Sequence, residues 1–580
     1  MKLTDYVVAF LEKKGIQDFF GYQGTMIAHF VDSIEKNPET RNHSCYNEQG
    51  ASFAACGYAQ SKNDCGCAYA TSGPGAVNLL SGVANAYYDS LPVVFITGQL
   101  NTYEYSGIKG LRQQGFQEID IVSMAAPVTK YAVHIREPED IVKELNKAYH
   151  IATTGRKGPV LIDLPMNIQR SEVENPVYDM EFEEEHTDPA VAAQAADAVC
   201  EAIRKAQRPV IMMGHGVDSK DSQRALLRLA EKLEIPVITS VLAKSVVPYD
   251  HPMNFGCIGG AYGHRYANMI ANVKSDLLIC FGISLCTRQI GTKVNEFAKD
   301  AQLIRIDIDS YNLQRDIHEN GVNEQKFCVD TASVIERLKK AAFAEDEGRK
   351  DWVVVCDEIK NNLEAVDDNT PERYPNIMVR DLSRCLTDTS AIAVDVGQHM
   401  VWSYQSFMNH KGQSLLFSGG HGAMGYALPA AIGAYYATGK PVACICGDGA
   451  FQMNIQELQW VKRENIPIKM IVMNNGALGM IRHLQRDYFD CLFAGTSDGC
   501  GFSSCDFHKV AQAYGIESAR MWSDEVGEKA PEFLQGEGPK LLEITMEHGT
   551  FAYPKTCLGE PIHNQQPYAP KDVYEKLMEL

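Results

Sequence analysis

Two short stretches carry residue types that could do chemistry. Gly447-Asp448-Gly449 sets a carboxylate between two glycines directly after the apolar run PVACIC, and Asn474-Asn475-Gly476 closes the next apolar run, IKMIVM. A carboxylate and an amide oxygen are hard ligands of the kind Mg²⁺ or Ca²⁺ takes. The flanking glycines would let phosphate oxygens approach the backbone, with the metal bridging protein and phosphate. A lone Gly-Asp-Gly is usually a turn capped by its aspartate. The added Asn-Asn, 27 positions on from Asp448 to Asn475, is what favours a metal site. In a right-handed βαβ unit the two strands run parallel, so both groups are expected at carboxyl ends of one sheet. Open α/β sheets bind ligands there. Asn454-Ile455-Gln456-Glu457 resembles a cap opening the connecting helix, with an end near Glu464.

The rest of the chain must position these groups. Its 580 residues suggest about three domains at roughly 100 to 200 residues each. Residues 1–170 alternate a helical pattern (Tyr6 to Lys14) with the apolar runs CGCAYA, PVVFITG and PVLIDLP. The acidic stretch at 171–189 reads as a linker. Residues 190–342 repeat the alternation with PVIMMG, PVITS, LLICFG and LIRIDI, and a charged linker is expected at 343–354. Residues 355–560 add AIAVDVG, PVACICG, IKMIVMN and KLLEITM, leaving a tail at 561–580. Such alternation signals parallel sheets with crossover helices. The fold class expected is α/β, with three consecutive doubly wound parallel-sheet domains.

Composition narrows the function. A net charge of −20 leaves no basic stripe for a nucleic-acid backbone. No run approaches the ~18 apolar residues of a membrane span. Asp5, Glu12, Lys13 and Lys14 interrupt the opening segment, which therefore lacks a signal-peptide core. Seventeen cysteines without secretory context read as reduced thiols of a cytoplasmic protein. Cys65 and Cys67 sit in a strand-like run with no second pair suitably spaced, and are read as core filler.

Further stretches join the two motifs: FGYQGT at 20–25, YNEQGASFAACGYAQ at 46–60, ATSGPGAVNLLSGVANAYYDSLPVVFITGQ at 70–99, GFQEID, VGQHMVW, SGGHGAMGYALPAAIGA and NNGALGM. Together they resemble the thiamine-diphosphate-dependent enzymes over nearly the whole length, with the closest likeness to acetolactate synthases and acetolactate-synthase-like surface-sugar enzymes. The resemblance implies pyrimidine-binding, central and diphosphate-binding domains in that order. It implies Mg²⁺ held by Asp448, Asn475 and the Ala477 carbonyl, and a catalytic Glu48 that hydrogen-bonds the cofactor's aminopyrimidine ring. Met424 matches the bulky residue beneath the cofactor. Gly397, Gln398, His399, Gly422, Ala423, Gly449, Ala450 and Met480 are implied to line the same site. Because Glu48 and Asp448 lie in different domains that the family joins across subunits, the resemblance implies a homodimer or homotetramer. It leaves any regulatory subunit undetermined.

The implied reaction is decarboxylation of a 2-oxo acid, pyruvate first among them, with transfer of the acyl carbanion to a second carbonyl. Decarboxylases of this fold use a His-His pair that the chain lacks. The synthase-like GFQEID sets Phe116 and Gln117 toward substrate. Two departures bear on the acceptor: GMIRHLQ has Leu484 where the synthases have tryptophan, and Thr25 ends a Tyr-Gln-Gly-Thr in place of Tyr-Pro-Gly-Gly. A keto-sugar nucleotide or another aldehyde or ketone is the alternative acceptor, and a noncatalytic thiamine-fold protein is the alternative class. In the central domain the flavin-binding stretch of the synthases reads Gly282 to Arg288, with Ser284 replacing the first arginine, while Asp307 and Asp309 remain. FAD and a vacant or ADP-binding domain both stay open.

Overall fold

The computed structural model describes residues 1–108, 110–183, 188–343, 349–364 and 374–580. Three six-stranded sheets, all parallel, follow one another along the chain. The first contains β1 (Asp18–Gly21), β2 (Arg41–Ser44), β3 (Gly66–Ala70), β4 (Val93–Gln99), β5 (Tyr131–His134) and β6 (Val160–Pro165), in the order β2-β1-β3-β4-β6-β5. The second contains β7 (Pro209–Met213), β8 (Val237–Thr239), β9 (Asn254–Cys257), β10 (Leu277–Phe281), β11 (Gln302–Asp307) and β12 (Glu324–Cys328), in the order β12-β11-β10-β7-β8-β9. The third contains β13 (Ala391–Val394), β14 (Ser414–Phe417), β15 (Val442–Gly447), β16 (Ile468–Asn474), β17 (Glu517–Trp522) and β18 (Lys540–Thr545). Its order, β14-β13-β15-β16-β18-β17, repeats that of the first sheet.

The α/β architecture expected from the alternation is the one observed. Each quoted apolar run is a central strand, because a strand covered on both faces by helices is apolar along most of its length. Cys65 and Cys67 are buried, and burial raises both thiols' pKa.

The first and third units share one core. The Glu48–Lys62 helix starts on Asn47, whose side chain accepts from the Gln49 N–H, and ends on Asn63 in the left-handed region. It packs against the Ala427–Thr438 helix of the third unit along faces of alanine and glycine. At Gly433 the backbones come so close that a Cβ would lie 1.9 Å from the Ala54 carbonyl oxygen.

Two expectations about connections are corrected. The stretch read as a linker at 343–354 includes the start of an Arg349–Leu363 helix, which buries Trp352, Cys356 and Ile359; residues 344–348 lie outside the described residues. The expected tail carries a Lys571–Glu579 helix, and Ile562 and Leu577 complete an apolar cluster of the central unit.

Candidate active site

Asp448 and Asn475 stand where the βαβ argument puts them. Strands β15 and β16 are parallel neighbours, with Gly447 paired to Met473, and the two residues follow directly on their carboxyl ends. The connecting helix differs from the expectation. It opens at Asp448 itself (Asp448–Gln452), and Ile455–Glu457 is a turn of 3₁₀ helix before a second helix, Leu458–Arg463.

Asp448 is 3 % exposed. Its Oδ1 accepts the Gly449 N–H at 2.9 Å, and its Oδ2 has no hydrogen-bond partner among the described residues. Burial pushes the carboxyl up to about 6 against the pull of the bonded Gly449 N–H and of the Ala477 N–H and Ser504 hydroxyl nearby, neither of which closes a hydrogen bond to it. A buried anion with an open oxygen is costly unless a cation neutralises it. Asn475 donates to Gln398 Oε1 at 3.0 Å and accepts from the Ala477 N–H at 3.2 Å. Gln398 in turn donates to the Thr550 carbonyl at 2.9 Å, so the amide is oriented from two sides. Asp448 and Asn475 thus present a carboxylate and an amide oxygen, hard donors of the type Mg²⁺ takes, and the Ala477 backbone lies against both.

Three loops converge on this point. The loop after β13 holds Gly397, Gln398 and His399; the sheet order reverses between β13 and β15, so this is the switch-point crevice. His399 lies across two glycines: a Cβ on Gly397 would sit 2.5 Å from its Cε1, and one on Gly447 2.9 Å from its Nδ1. Burial pushes His399 down to about 3, which leaves a neutral wall residue at ordinary pH. The second loop carries Gly422, Ala423 and Met424. Met424 Cε would be 3.6 Å from a Cβ on Gly449, which brings Met424 over the Gly-Asp-Gly turn beside Ala450. The third loop leads into the Gly479–Tyr488 helix, which bears Met480 and Leu484.

The other implied residues form a separate cluster at the switch point of the first sheet, between β1 and β3. Glu48 Oε2 accepts from Asn78 Nδ2 at 3.0 Å, and its Oε1 lies 3.0 Å from where a Cβ on Gly75 would be. Thr71 packs against Gly75 and Gly24 and accepts the Met26 N–H, drawing Thr25 to the same crevice. Ser72 donates to the Gln117 carbonyl at 2.9 Å, and Gln117 takes a left-handed φ of 63°. Phe116 beside it is 80 % exposed.

Within one chain, no hydrogen bond or ion pair among the described residues joins Glu48 to Asp448, Asn475 or Ala477. Asn78, Asn454 and Glu457, which brace these two half-sites, were not anticipated. The sequence marks Asn454 and Glu457 only as a helix cap, and Asn78 carries no signal beyond its place in a glycine-rich run.

Comparison with known proteins decides the family. Residues 1–124 match the model of the thiamine pyrophosphate enzyme N-terminal TPP-binding domain, 196–338 that of the central domain, and 395–544 that of the C-terminal TPP-binding domain. The chain belongs to the thiamine pyrophosphate enzymes. Thiamine pyrophosphate is the thiamine diphosphate anticipated above, and the chain is an enzyme that depends on it. It is 34 % identical over 567 residues to a probable acetolactate synthase large subunit of Methanocaldococcus jannaschii, an alignment covering 94 % of this chain and 92 % of that one. It is 32 % identical to an acetolactate synthase of Arthrospira platensis, with 95 % of each chain covered. It is 31 % identical to the acetolactate synthase isozyme 1 large subunit of Escherichia coli, with 96 % of each covered. No helix among the described residues is long and apolar enough to cross a membrane.

Proposed function

We propose that this thiamine-diphosphate enzyme decarboxylates pyruvate and transfers the acyl unit to a second carbonyl, as an acetolactate-synthase-like carboligase. The observation that carries the reading is the orphaned Asp448 oxygen beside Asn475 in a glycine-lined crevice, in a chain similar to acetolactate synthases over 94 % of its length. Asp448, Asn475 and Ala477 would hold Mg²⁺ and through it the diphosphate. Gly397, Gln398, His399, Gly422, Ala423, Gly449, Ala450 and Met480 would line the cofactor's bed, with Met424 beneath it. Once bound, thiamine diphosphate supplies a nucleophilic carbon and an electron sink for decarboxylation. Glu48 would hydrogen-bond the pyrimidine ring, with its carboxylate oriented by Asn78. Thr25, Phe116, Gln117 and Leu484 face the substrates.

The two half-sites support a homodimer in which Glu48 of one subunit meets Asp448 of the other. Exposed apolar side chains flank both, with Phe116 and Tyr22 on the first and Ile481 and Leu484 on the second. Those surfaces are suited to burial by a second copy.

The central unit has room for a nucleotide. A cavity of about 420 Å³ opens at the switch point between β7 and β10 and is lined by Gly216, Gly282, Ser284, Arg288 and Asp307. It extends to Gly420 and Met480 beside the thiamine crevice, a reach that favours FAD over ADP. The absorption spectrum of the purified protein separates the two, since only FAD gives flavin bands.

Purified protein with thiamine diphosphate, Mg²⁺ and pyruvate should release one carbon dioxide for each acetolactate formed. Carbon dioxide without acetolactate would remove the synthase reading. The exposed Leu484 favours one alternative, a bulkier keto-sugar or aldehyde acceptor, which the same assay detects on adding such acceptors.

A further inference from the structure

Glu457 is a fully buried carboxylate at 0 % exposure, in the third unit, nine residues after Asp448. Its neighbour Gln456 donates to Oε1 at 3.4 Å, and its other partners are backbone amides of the first unit. The Tyr46 N–H donates to Oε1 at 3.2 Å and to Oε2 at 3.1 Å, and the Asn47 N–H also points to this carboxyl. These are the two residues before Glu48. The approach is close enough that a Cβ on Gly50 would lie 2.7 Å from Oε1. Asn454, one 3₁₀ turn earlier, adds a second tie: its Nδ2 donates to Gln49 Oε1 at 3.2 Å and to the Gly425 carbonyl at 2.8 Å. Gly425 follows Met424 directly.

We propose that Glu457 is a positioning residue: through the Tyr46 and Asn47 amides it sets the height and direction of the Glu48 helix start, and so the placement of the Glu48 carboxylate toward the cofactor. The physical case is one of lever length. Glu48 is the first residue of its helix, where fraying is greatest. Asn47 caps the helix through the Gln49 N–H alone, which leaves the preceding amides to be satisfied from elsewhere. Glu457 supplies that acceptor from the opposite unit, and Asn78 then orients the Glu48 side chain on a start already fixed. Glu457 touches neither substrate nor cofactor in this reading; it acts through Glu48.

The proposal rests on Glu48 as the group that activates the cofactor and is independent of which carbonyl accepts the acyl unit. The test compares wild type, Glu457→Gln and Glu48→Gln as full-length protein. The near-isosteric amide turns a donor toward donors at Tyr46 and Asn47. Loss of one such buried bond should lower hydrogen-exchange protection of residues 45–50 in the cofactor-free protein about tenfold. Exchange of the C2 proton of bound thiamine diphosphate, followed by proton NMR after acid quench, should slow by a similar factor of about ten. Cofactor affinity should stay within about threefold, because the Mg²⁺ ligands are untouched. Unchanged C2 exchange in Glu457→Gln alongside a collapse in Glu48→Gln would overturn the positioning role alone. Unchanged exchange in both variants would overturn the reading of Glu48 as well. A Glu457→Gln protein that does not fold, or that loses cofactor affinity and exchange together, would show Glu457 to be a structural group and also refute the proposal.

Discussion

Asp89 offers a sharp test of how the first and third units are joined. It follows the Pro74–Tyr88 helix, is 1 % exposed, and accepts the Gly420 N–H at 2.6 Å and the Gly419 N–H at 3.2 Å from the loop that leads to Met424. Burial outweighs these two donors and pushes its carboxyl from 3.8 up to about 7. The folded protein therefore keeps a proton that the unfolded chain loses near pH 4. A raised carboxyl pKa gives stability that is present at low pH and lost as pH rises through the folded value. Carrying the full charge costs about 4 kcal/mol, and about 1.4 kcal/mol of that falls between pH 6 and pH 8. Asp89→Asn cannot titrate. Its stability relative to wild type should rise by about 1.4 kcal/mol over that interval, a relative Tm gain of about 3 to 6 °C for a unit of this size. Asp395, Asp448 and Glu457 are also buried carboxyls with raised pKa values, but they are common to both proteins and cancel in the difference. Scanning calorimetry from pH 6 to pH 8 makes the measurement. Parallel Tm curves for the two proteins would refute the reasoning.

Asp448→Asn should weaken the joint binding of Mg²⁺ and thiamine diphosphate by more than the 10- to 100-fold typical of groups that only support a metal ligand. It should leave the cofactor-free protein at least as stable, because a buried charge is gone; titration calorimetry and a melting curve check the two halves. Gly433→Ala drives a Cβ to 1.9 Å from the Ala54 carbonyl, so the helices must part by more than 1 Å. A stability loss of about 1 to 3 kcal/mol is expected, read as a lower melting temperature with unchanged secondary structure by circular dichroism. Leu484→Trp restores the indole found in the synthases and should raise the share of acetolactate among products when pyruvate competes with a bulkier acceptor. An unchanged product ratio would remove Leu484 from the acceptor pocket.

All the central strands but β1, only four residues long, were legible because their pattern is plain: VACIC and MIVM are apolar on both faces, as suits a strand between two helix layers. Two polar edge strands were not. Arg41-Asn42-His43-Ser44 forms β2 although only His43 is buried, and β17 (Glu517–Trp522) buries only Met521. Such segments pair through the backbone while their side chains meet solvent, so hydropathy leaves no trace of them. The placement of Asp448 and Asn475 was legible for a different reason, since a right-handed βαβ unit brings both to carboxyl ends of neighbouring parallel strands. The bracing residues were hidden because their partners are remote: Glu457 reaches Tyr46 across 411 positions, and no local pattern records that. The helix opening at Asp448 was missed because two glycines and a later capping pattern argued for a start at Asn454, while the strand's carboxyl end left room for one helical turn before it. The C-terminal helix was read as tail because its acidic and basic residues outnumber the few apolar ones that dock it.

The docking of the Glu48–Lys62 helix on the Ala427–Thr438 helix also sets a timetable for synthesis. Gly57 and Ala430, which touch at the crossing, lie 373 positions apart (430 less 57). At roughly 5–20 residues per second, a ribosome takes about 20 to 75 s to make the intervening chain. Throughout that interval the alanine-rich face of the first helix has emerged and its cover has not. The newborn chain therefore passes through a long window with an uncovered apolar stripe, and a holding chaperone should raise the yield of folded enzyme more than any change at the active site.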